Sequence, residues 1–338
     1  MQIPAAQAAM ILKPDSDGVY TVSFLVLPEY AMVCLLSAIE TMRVANRFAG
    51  REVFRWQLLS TNGEPVNASN QLALLETKSI EDVPAPKNLF VCSSFNPKSY
   101  MSGNALAWLR SLYRRGAVIG AVDTGCYLLA AAGIIRNSRV TLHWEAIPAF
   151  LEEHPGVEVT NELFEIDHNL ITCAGGTASI DLMLHIIQAE LSQDLALAVC
   201  EQFIKSGIRQ KSDKQRISLA FRLHVHDSRL LRVLALMETN LEIPLNPSEL
   251  AEHAHLSIRQ VERLFRRHLS TTPANYYLGL RLGRAQQLLR ESHLSVSEIA
   301  IACGFNSSAH FSRAYSKANG LTPSQDRRDR FAVNQTQH

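Results

Sequence analysis

The sequence predicts two domains of different class: an α/β domain on a doubly wound, mostly parallel sheet, followed by an all-α domain. Three observations carry the prediction. Between residues 19 and 204, short apolar runs rich in β-branched residues alternate with longer amphipathic ones. Beyond them lies an internal repeat of helical character. Charge divides near the same place: residues 1–208 hold 14 Lys and Arg against 21 Asp and Glu, whereas residues 209–338 hold 19 against 11.

In chain order, residues 1–18 (MQIPAAQAAMILKPDSDG) lack the basic start and the apolar stretch of a signal peptide, and are expected to form a disordered tail. VYTVSFLVL (19–27) predicts the first strand and CLLSAIETMRVANRF (34–48) an amphipathic helix. FRWQLLST (54–61) and NLFVCSS (88–94) read as further buried strands. The helix ALAWLRSLYRRG (105–116) leads into AVIGAVDTGCYLLAAAGI (117–134), an apolar strand that breaks at Asp123-Thr124-Gly125 and restarts at once as a helix. NLITCAGG (169–176) passes into TASIDLMLHIIQAEL (177–191) in the same manner. Strands separated by such helices pair in parallel, with helices on both faces. The expected bounds are 19–204 for this domain, 205–227 for a polar, basic connection, 228–330 for the helical domain and 331–338 for a second tail.

No run of about 18 uncharged apolar residues occurs, so no membrane span is expected. The six cysteines (Cys34, Cys92, Cys126, Cys173, Cys200 and Cys303) form neither a CxxC pair nor a zinc-type spacing with His. No metal or other cofactor is expected. The thiols are read as reduced and mostly buried, as in a cytoplasmic protein.

Ligands of open parallel sheets gather at the carboxyl ends of the strands. Here those ends are Pro28-Glu29-Tyr30, Ser93-Ser94-Phe95, Asp123-Thr124-Gly125 and Ala174-Gly175-Gly176-Thr177. Asp123 at a pocket floor favours a cationic or hydroxyl-rich ligand, while the N–H groups of an elbow helix offer a carboxylate site. Together they suit a zwitterion. Tyr30, Phe95 and Trp144 can present ring faces to an ammonium or guanidinium head; Tyr127 is a further ring of this kind. The candidate ligand residues are Asp123, Thr124, Gly125, His143, Trp144, Tyr30, Phe95 and Thr177. Asp181 either faces the same pocket or caps a helix, and Glu40, Arg43 and Asn46 share one helical stripe that a solvated face, a dimer surface or a ligand explains equally well. Cys126 allows a competing, enzymatic reading in which a helix N-terminus activates its thiol and His143 serves as base. Against it stands the reading of Cys126 as a small packed residue.

The basic third contains two copies of one pattern. SELAEHAHLSIRQVERLFRRHLSTTP (248–273) matches SEIAIACGFNSSAHFSRAYSKANGLTP (297–323) after one inserted residue, aligning Val261 with Phe311, Arg263 with Arg313 and Phe265 with Tyr315. Each copy reads as helix, tight turn, helix, with Ser248 and Ser297 as expected caps. Ile258, Val261, Leu264, Phe265 and Leu269 are expected inside the first copy, and Phe311, Tyr315 and Ala318 inside the second. Arginine reads guanine, and glutamine adenine, by paired hydrogen bonds in the major groove. Candidate DNA-contacting residues are therefore Arg259, Gln260, Arg263 and Arg266 in the first copy and His310, Arg313 and Lys317 in the second.

LAEHAHLSIRQVERLFRRH, TPANYYLGLRLGRAQQLL and SVSEIAIACGFNSSAHFSRAYSKANGLTPSQDRR together resemble the AraC-type transcription regulators over about 100 residues. That resemblance implies two helix-turn-helix units joined by a long helix near residues 274–290, with Arg259, Gln260 and Arg263 as base readers of the first and Ser308, His310 and Arg313 of the second. AVDTGCYLLAAAGI, followed by SRVTLHWE, resembles the PfpI and class I amidotransferase-like superfamily, and within it the GlxA-type subgroup that carries an AraC-type domain. The first domain is then flavodoxin-like. Enzymes of that superfamily place a cysteine two residues before the elbow glycine, where this chain has Asp123, a far weaker nucleophile toward acyl carbon. The resemblance implies a ligand-responsive regulator without catalysis, an activator of a catabolic operon. Its partners would be promoter DNA, RNA polymerase, a second copy of the chain and a small effector such as glycine betaine, carnitine or arginine. The alternative is an active cysteine amidase-like enzyme fused to a DNA-binding module.

Overall fold

The computed structural model describes residues 10–75, 77–292 and 294–328, and the chain divides into two units, Met1–Gln215 and Arg216–His338. Residues 1–9 and 331–338 of the two expected tails lie outside the described residues. Residues 10–18 are anchored. Leu12 is fully buried, its N–H donates to Glu190 at 3.3 Å, and Lys13 and Asn88 exchange hydrogen bonds of 2.7 and 2.8 Å. Residues 10–18 are held to the fold because the apolar side chain of Leu12 has a place in the core.

The first unit opens with β1 (Tyr20–Val26), α1 (Met32–Ala49), β2 (Phe54–Ser60), a small hairpin of β3 (Val66–Asn67) and β4 (Ala73–Leu74), and β5 (Lys78–Ser79). Next come β6 (Asn88–Ser93), α2 (Gly103–Arg114), β7 (Val118–Asp123), α3 (Cys126–Ala131), β8 (Arg139–Thr141), α4 (Ile147–Glu153) and β9 (Glu158–Thr160). β10 (Phe164–Asp167), β11 (Leu170–Cys173), α5 (Ala178–Glu190) and α6 (Gln193–Gln202) complete it. Seven strands form one sheet in the order β10-β11-β7-β6-β1-β2-β5. Neighbours run parallel except for the edge pair β10–β11, which is antiparallel.

Alternation along the strands supplies two cores. Val22, Phe24 and Val26 of β1 pack toward α1, α5 and α6, while Leu25 and Leu27 pack toward α2, α3 and α4. The sheet is therefore wound on both faces, as the sequence predicts. Gly120 of β7 is required where it stands, since a Cβ there would lie 2.2 Å from the Phe90 ring of β6.

The second unit is helical: α7 (Leu219–Leu223), α8 (Ser228–Thr239), α9 (Pro247–His253), α10 (Ile258–Leu269), α11 (Pro273–Glu291), α12 (Val296–Ala302) and α13 (Ser308–Asn319), with residues 323–328 helical beyond. The long helix expected over 274–290 is α11. The caps of α9 and α12 differ from expectation. They are Asn246 and Ser295, not Ser248 and Ser297, and each closes a reciprocal box with the glutamate three residues on, Glu249 or Glu298. The box satisfies two end-of-helix N–H groups where a lone serine satisfies one.

Val261, Leu264 and Phe265 are buried in α10, and Phe311 and Tyr315 in α13. Ile258, expected inside, is 45% exposed because it is the first residue of α10, and Ala318 is exposed in the last turn of α13. α11 serves both copies. Its Tyr277 donates to the Asn240 carbonyl and accepts from the Leu245 N–H in the α8–α9 connection. One turn later, Arg281 donates to the carbonyls of Cys303 and Gly304 at 2.8 and 2.6 Å and lies 4.1 Å over the Phe305 ring.

Candidate functional site

β7 ends at Asp123, whose φ of 61° places a non-glycine residue in the left-handed region. Gly125 then caps α3, and a Cβ there would stand 2.6 Å from the Val91 carbonyl oxygen. The elbow is tight and held from two sides. Asp123 is only 7% exposed. Its Oδ2 lies 3.9 Å from Cys34 Sγ, Ser94 hydrogen-bonds the carboxylate, and Gly175 passes so close that a Cβ on it would lie 2.9 Å from that of Asp123.

Burial raises the Asp123 pKa to about 7; the Ser94 hydrogen bond opposes this and the Glu145 charge adds to it. Among the described residues, no Lys, Arg or His side chain within 4.0 Å forms an ion pair with it. Two fully buried hydroxyls on neighbouring strand ends, Tyr30 Oη and Ser93 Oγ, have no hydrogen-bond partner among the described residues. Ser93 is in register with Asp123 across the β6–β7 pair.

Topology brings the predicted ligand residues to one edge. β11, β7, β6 and β1 lie side by side and parallel, so the segments bearing Thr177, Asp123, Phe95 and Tyr30 all leave at their carboxyl ends. The residues differ in what they still offer. Phe95 is 60% exposed, whereas Tyr30 is fully buried. The Thr124 hydroxyl is committed to the Ser94 carbonyl at 2.6 Å. His143 is fastened through its backbone, N–H to the Asp123 carbonyl at 3.3 Å, and its ring lies 5.7 Å from that of Trp144. Burial lowers its pKa, with Glu145 at 3.8 Å opposing. Thr177 is exposed ahead of α5 and accepts from Arg209 at 3.1 Å.

Cys126 does not serve the enzymatic reading. It is fully buried, its thiol donates to the Thr141 carbonyl at 3.3 Å, and burial pushes its pKa up, away from the thiolate a nucleophile needs. Tyr127 is packed edge-on to Phe150, with ring centroids 5.0 Å apart. Asp181 neither faces the pocket nor caps α5; it is fully buried and paired with Lys205 and Arg209. Asn46 leaves the stripe of Glu40 and Arg43 to hold the backbone of Val53 and Phe54. Sequence reasoning missed Cys34, 89 residues from Asp123, for which no local spacing gives a cue. Two surface depressions, of about 390 and 270 Å³, run along α2, and neither is lined by an elbow residue. Among the described residues, no group of three or more His, Cys, Asp or Glu could hold a metal ion, and no helix is long and apolar enough to cross a membrane.

In the second unit, Arg259, Arg263 and Arg266 are exposed on α10, as are His310, Arg313 and Lys317 on α13. Among the described residues none of these cations has a carboxylate within 4.0 Å. Two of the predicted readers are already engaged. The Gln260 side-chain oxygen Oε1 accepts from the Ser257 N–H at 2.7 Å in a capping box, and the Ser308 hydroxyl donates to that of Ser297 across the α12–α13 turn at 3.0 Å. The turn itself repeats: His255 and Gly304 occupy equivalent positions and share a left-handed backbone, with φ of 56° and 72°.

Residues 32–189 match the DJ-1/PfpI family and residues 250–329 the helix-turn-helix domain family. Across the whole length the chain is similar to curated regulators. It is 47% identical over 304 residues to the HTH-type transcriptional regulator CdhR of Pseudomonas aeruginosa, covering 90% of each chain. It is 38% identical to GbdR of the same species, covering 93% of this chain and 86% of that one, and 35% identical to GlxA of Rhizobium meliloti, covering 94% and 99%. Among solved structures, a THiJ/PfpI family protein from Pseudomonas syringae superposes with a TM-score of 0.50 at 21% identity, over 65% of this chain and 88% of that one.

Proposed function

The chain belongs to the HTH-type transcriptional regulators that join a DJ-1/PfpI domain to a helix-turn-helix domain, and from that premise we propose that its elbow is an effector site for a small cation-bearing metabolite. It is a DNA-binding regulator and not an enzyme, like the relatives it matches along nine-tenths of its length. One observation carries the effector reading. Asp123 is an enclosed carboxyl, held in a strained turn, with no ion-pair partner among the described residues. An arriving ammonium, quaternary amine or guanidinium restores the charge that burial suppresses. The rings of Trp144 and Phe95 suit such a head group, and the free hydroxyls of Tyr30 and Ser93 suit a hydroxyl or carboxylate on the same ligand. An amino-acid-like or betaine-like effector fits best.

DNA contact is assigned to α10 and α13. Arg259, Arg263 and Arg313 are the base readers, Arg266, His310 and Lys317 the supporting contacts, and Gln260 and Ser308 contribute what their internal bonds leave free. The regulator works in the cytoplasm as a homodimer, since a repeated or two-fold operator needs two readers, and it activates a catabolic operon through RNA polymerase.

A thermal-shift series with glycine betaine, carnitine, sarcosine, choline and arginine tests the site. At least one is expected to stabilise the wild type and to leave Asp123→Asn unmoved. Equal stabilisation of both proteins removes Asp123 from the site, and no shift with any of the five removes the cationic effector.

A further inference from the structure

The stretch that leads out of the first unit is tied down along its whole length. Lys205 reaches the buried Asp181 at 3.0 Å, and Arg209 grips the same carboxylate with Nε at 2.9 Å and Nη2 at 2.6 Å. The Arg209 backbone N–H also donates to Asp181, at 3.2 Å. Lys211 pairs with Glu165, a carboxylate only 2% exposed, and its carbonyl accepts from the Leu163 N–H at 3.1 Å. The backbone of Lys214 forms an isolated antiparallel β-bridge with that of Glu162. Gln215 Nε2 then stands 3.0 Å from Thr141 Oγ1 and from the carbonyls of Leu142 and Glu162. The second unit begins at the next residue.

The middle and the end of this stretch land beside the elbow. Arg209 Nη2 donates to Thr177 Oγ1, two residues beyond the Gly175 that touches Asp123. Gln215 donates to the carbonyl of Leu142, whose neighbour His143 is bonded to the Asp123 backbone. Both segments that hold the stretch therefore adjoin Asp123.

We propose that residues 205–215 form a strap whose grip on the first unit is set by the elbow site, with Arg209 the positioning residue that senses the Thr177 segment. The inference rests on the effector reading above and adds its route to the second unit. Because Asp181 is buried and needs its cations, the strap rests closed on its charge pairs, and the two neutral contacts, Thr177 and Gln215, set how often it lifts. Occupancy of the site then biases a two-state element at the end of the first unit, to which the second unit is joined through the chain.

The test needs no effector. Lys205, Arg209, Lys211 and Lys214 make the strap a natural trypsin substrate once it lifts. Full-length wild type, Thr177→Val, Gln215→Leu and the rescue variant Thr177→Ser are digested briefly and the cuts mapped by mass spectrometry. The same proteins are titrated against a duplex enriched from a random library on the wild type. Thr177→Val and Gln215→Leu are expected to speed cleavage at Arg209 and Lys211 about ten-fold, with the urea midpoint unchanged, and to alter duplex affinity by about five-fold or more. Thr177→Ser is expected to restore both. Unchanged cleavage overturns the grip, and faster cleavage with unaltered affinity overturns the transmission. Failure to enrich any duplex refutes the DNA-reading assignment instead, a separate outcome.

Discussion

The elbow and the two reading helices treat charge in opposite ways. Asp123 is turned inward at 7% exposure, its ionisation delayed to about pH 7, with no ion-pair partner among the described residues. Arg259, Arg263 and Arg313 are turned outward, also without a carboxylate partner among those residues. Both regions leave a charge uncompensated, and each matches the partner proposed for it. A small effector can enter and neutralise an enclosed acid. A polyanionic duplex cannot be enclosed, so its contacts must be displayed.

The largest effect expected from this contrast is a pH dependence of stability that originates at the elbow. Unfolded aspartate releases its proton near 3.8, whereas Asp123 holds it to about 7, so between those values the folded protein binds more protons and stability falls as pH rises. At full separation the loss is about 4 kcal/mol. Urea melts of wild type and Asp123→Asn at pH 4.5 and 8 should show the wild type losing stability over that interval and the variant losing far less; parallel losses would place the titration elsewhere.

Arg281 sharpens the comparison because it is a cation of the second unit turned inward. Its guanidinium holds two carbonyls, so Arg281→Ala should cost about 2–3 kcal/mol in a denaturant melt, where Arg263→Ala should cost none. On DNA the order is reversed. Arg263→Ala and Arg313→Ala should each weaken specific binding by about 1–3 kcal/mol in a gel-shift or anisotropy titration. Wild-type affinity in both would break the assignment of α10 and α13. Lys317→Ala should do least, lowering affinity alike for all sequences and reducing the salt slope of binding by about one unit.

Much of this is legible in the sequence, for identifiable reasons. The two-faced winding of the sheet follows from apolar runs that alternate with helices, and the repeat alone pairs Phe265 with Tyr315 as equivalent core positions. The capping boxes are spelled out as well, as Asn246-x-x-Glu249 and Ser295-x-x-Glu298, but Ser248 and Ser297, each directly before a glutamate, offer a competing cap of the right residue type. Contacts made across the fold have no such local signature. Cys34 meets Asp123 only because α1 packs beside the end of β7, and Arg209 meets Asp181 only because the chain doubles back after α6. Gln260 and Ser308 have the right residue type for reading bases, and only the hydrogen bonds reveal their prior commitments.

The α11 contacts have a consequence for operator geometry. Tyr277 fixes the helix to the first copy and Arg281, four residues on and therefore on the same side, fixes it to the second. The phase between the two grooves that α10 and α13 can occupy is thus recorded in a single turn of backbone. One residue inserted between those anchors would rotate one reader about 100° around the axis relative to the other, leaving two intact modules that no continuous B-form site could satisfy together.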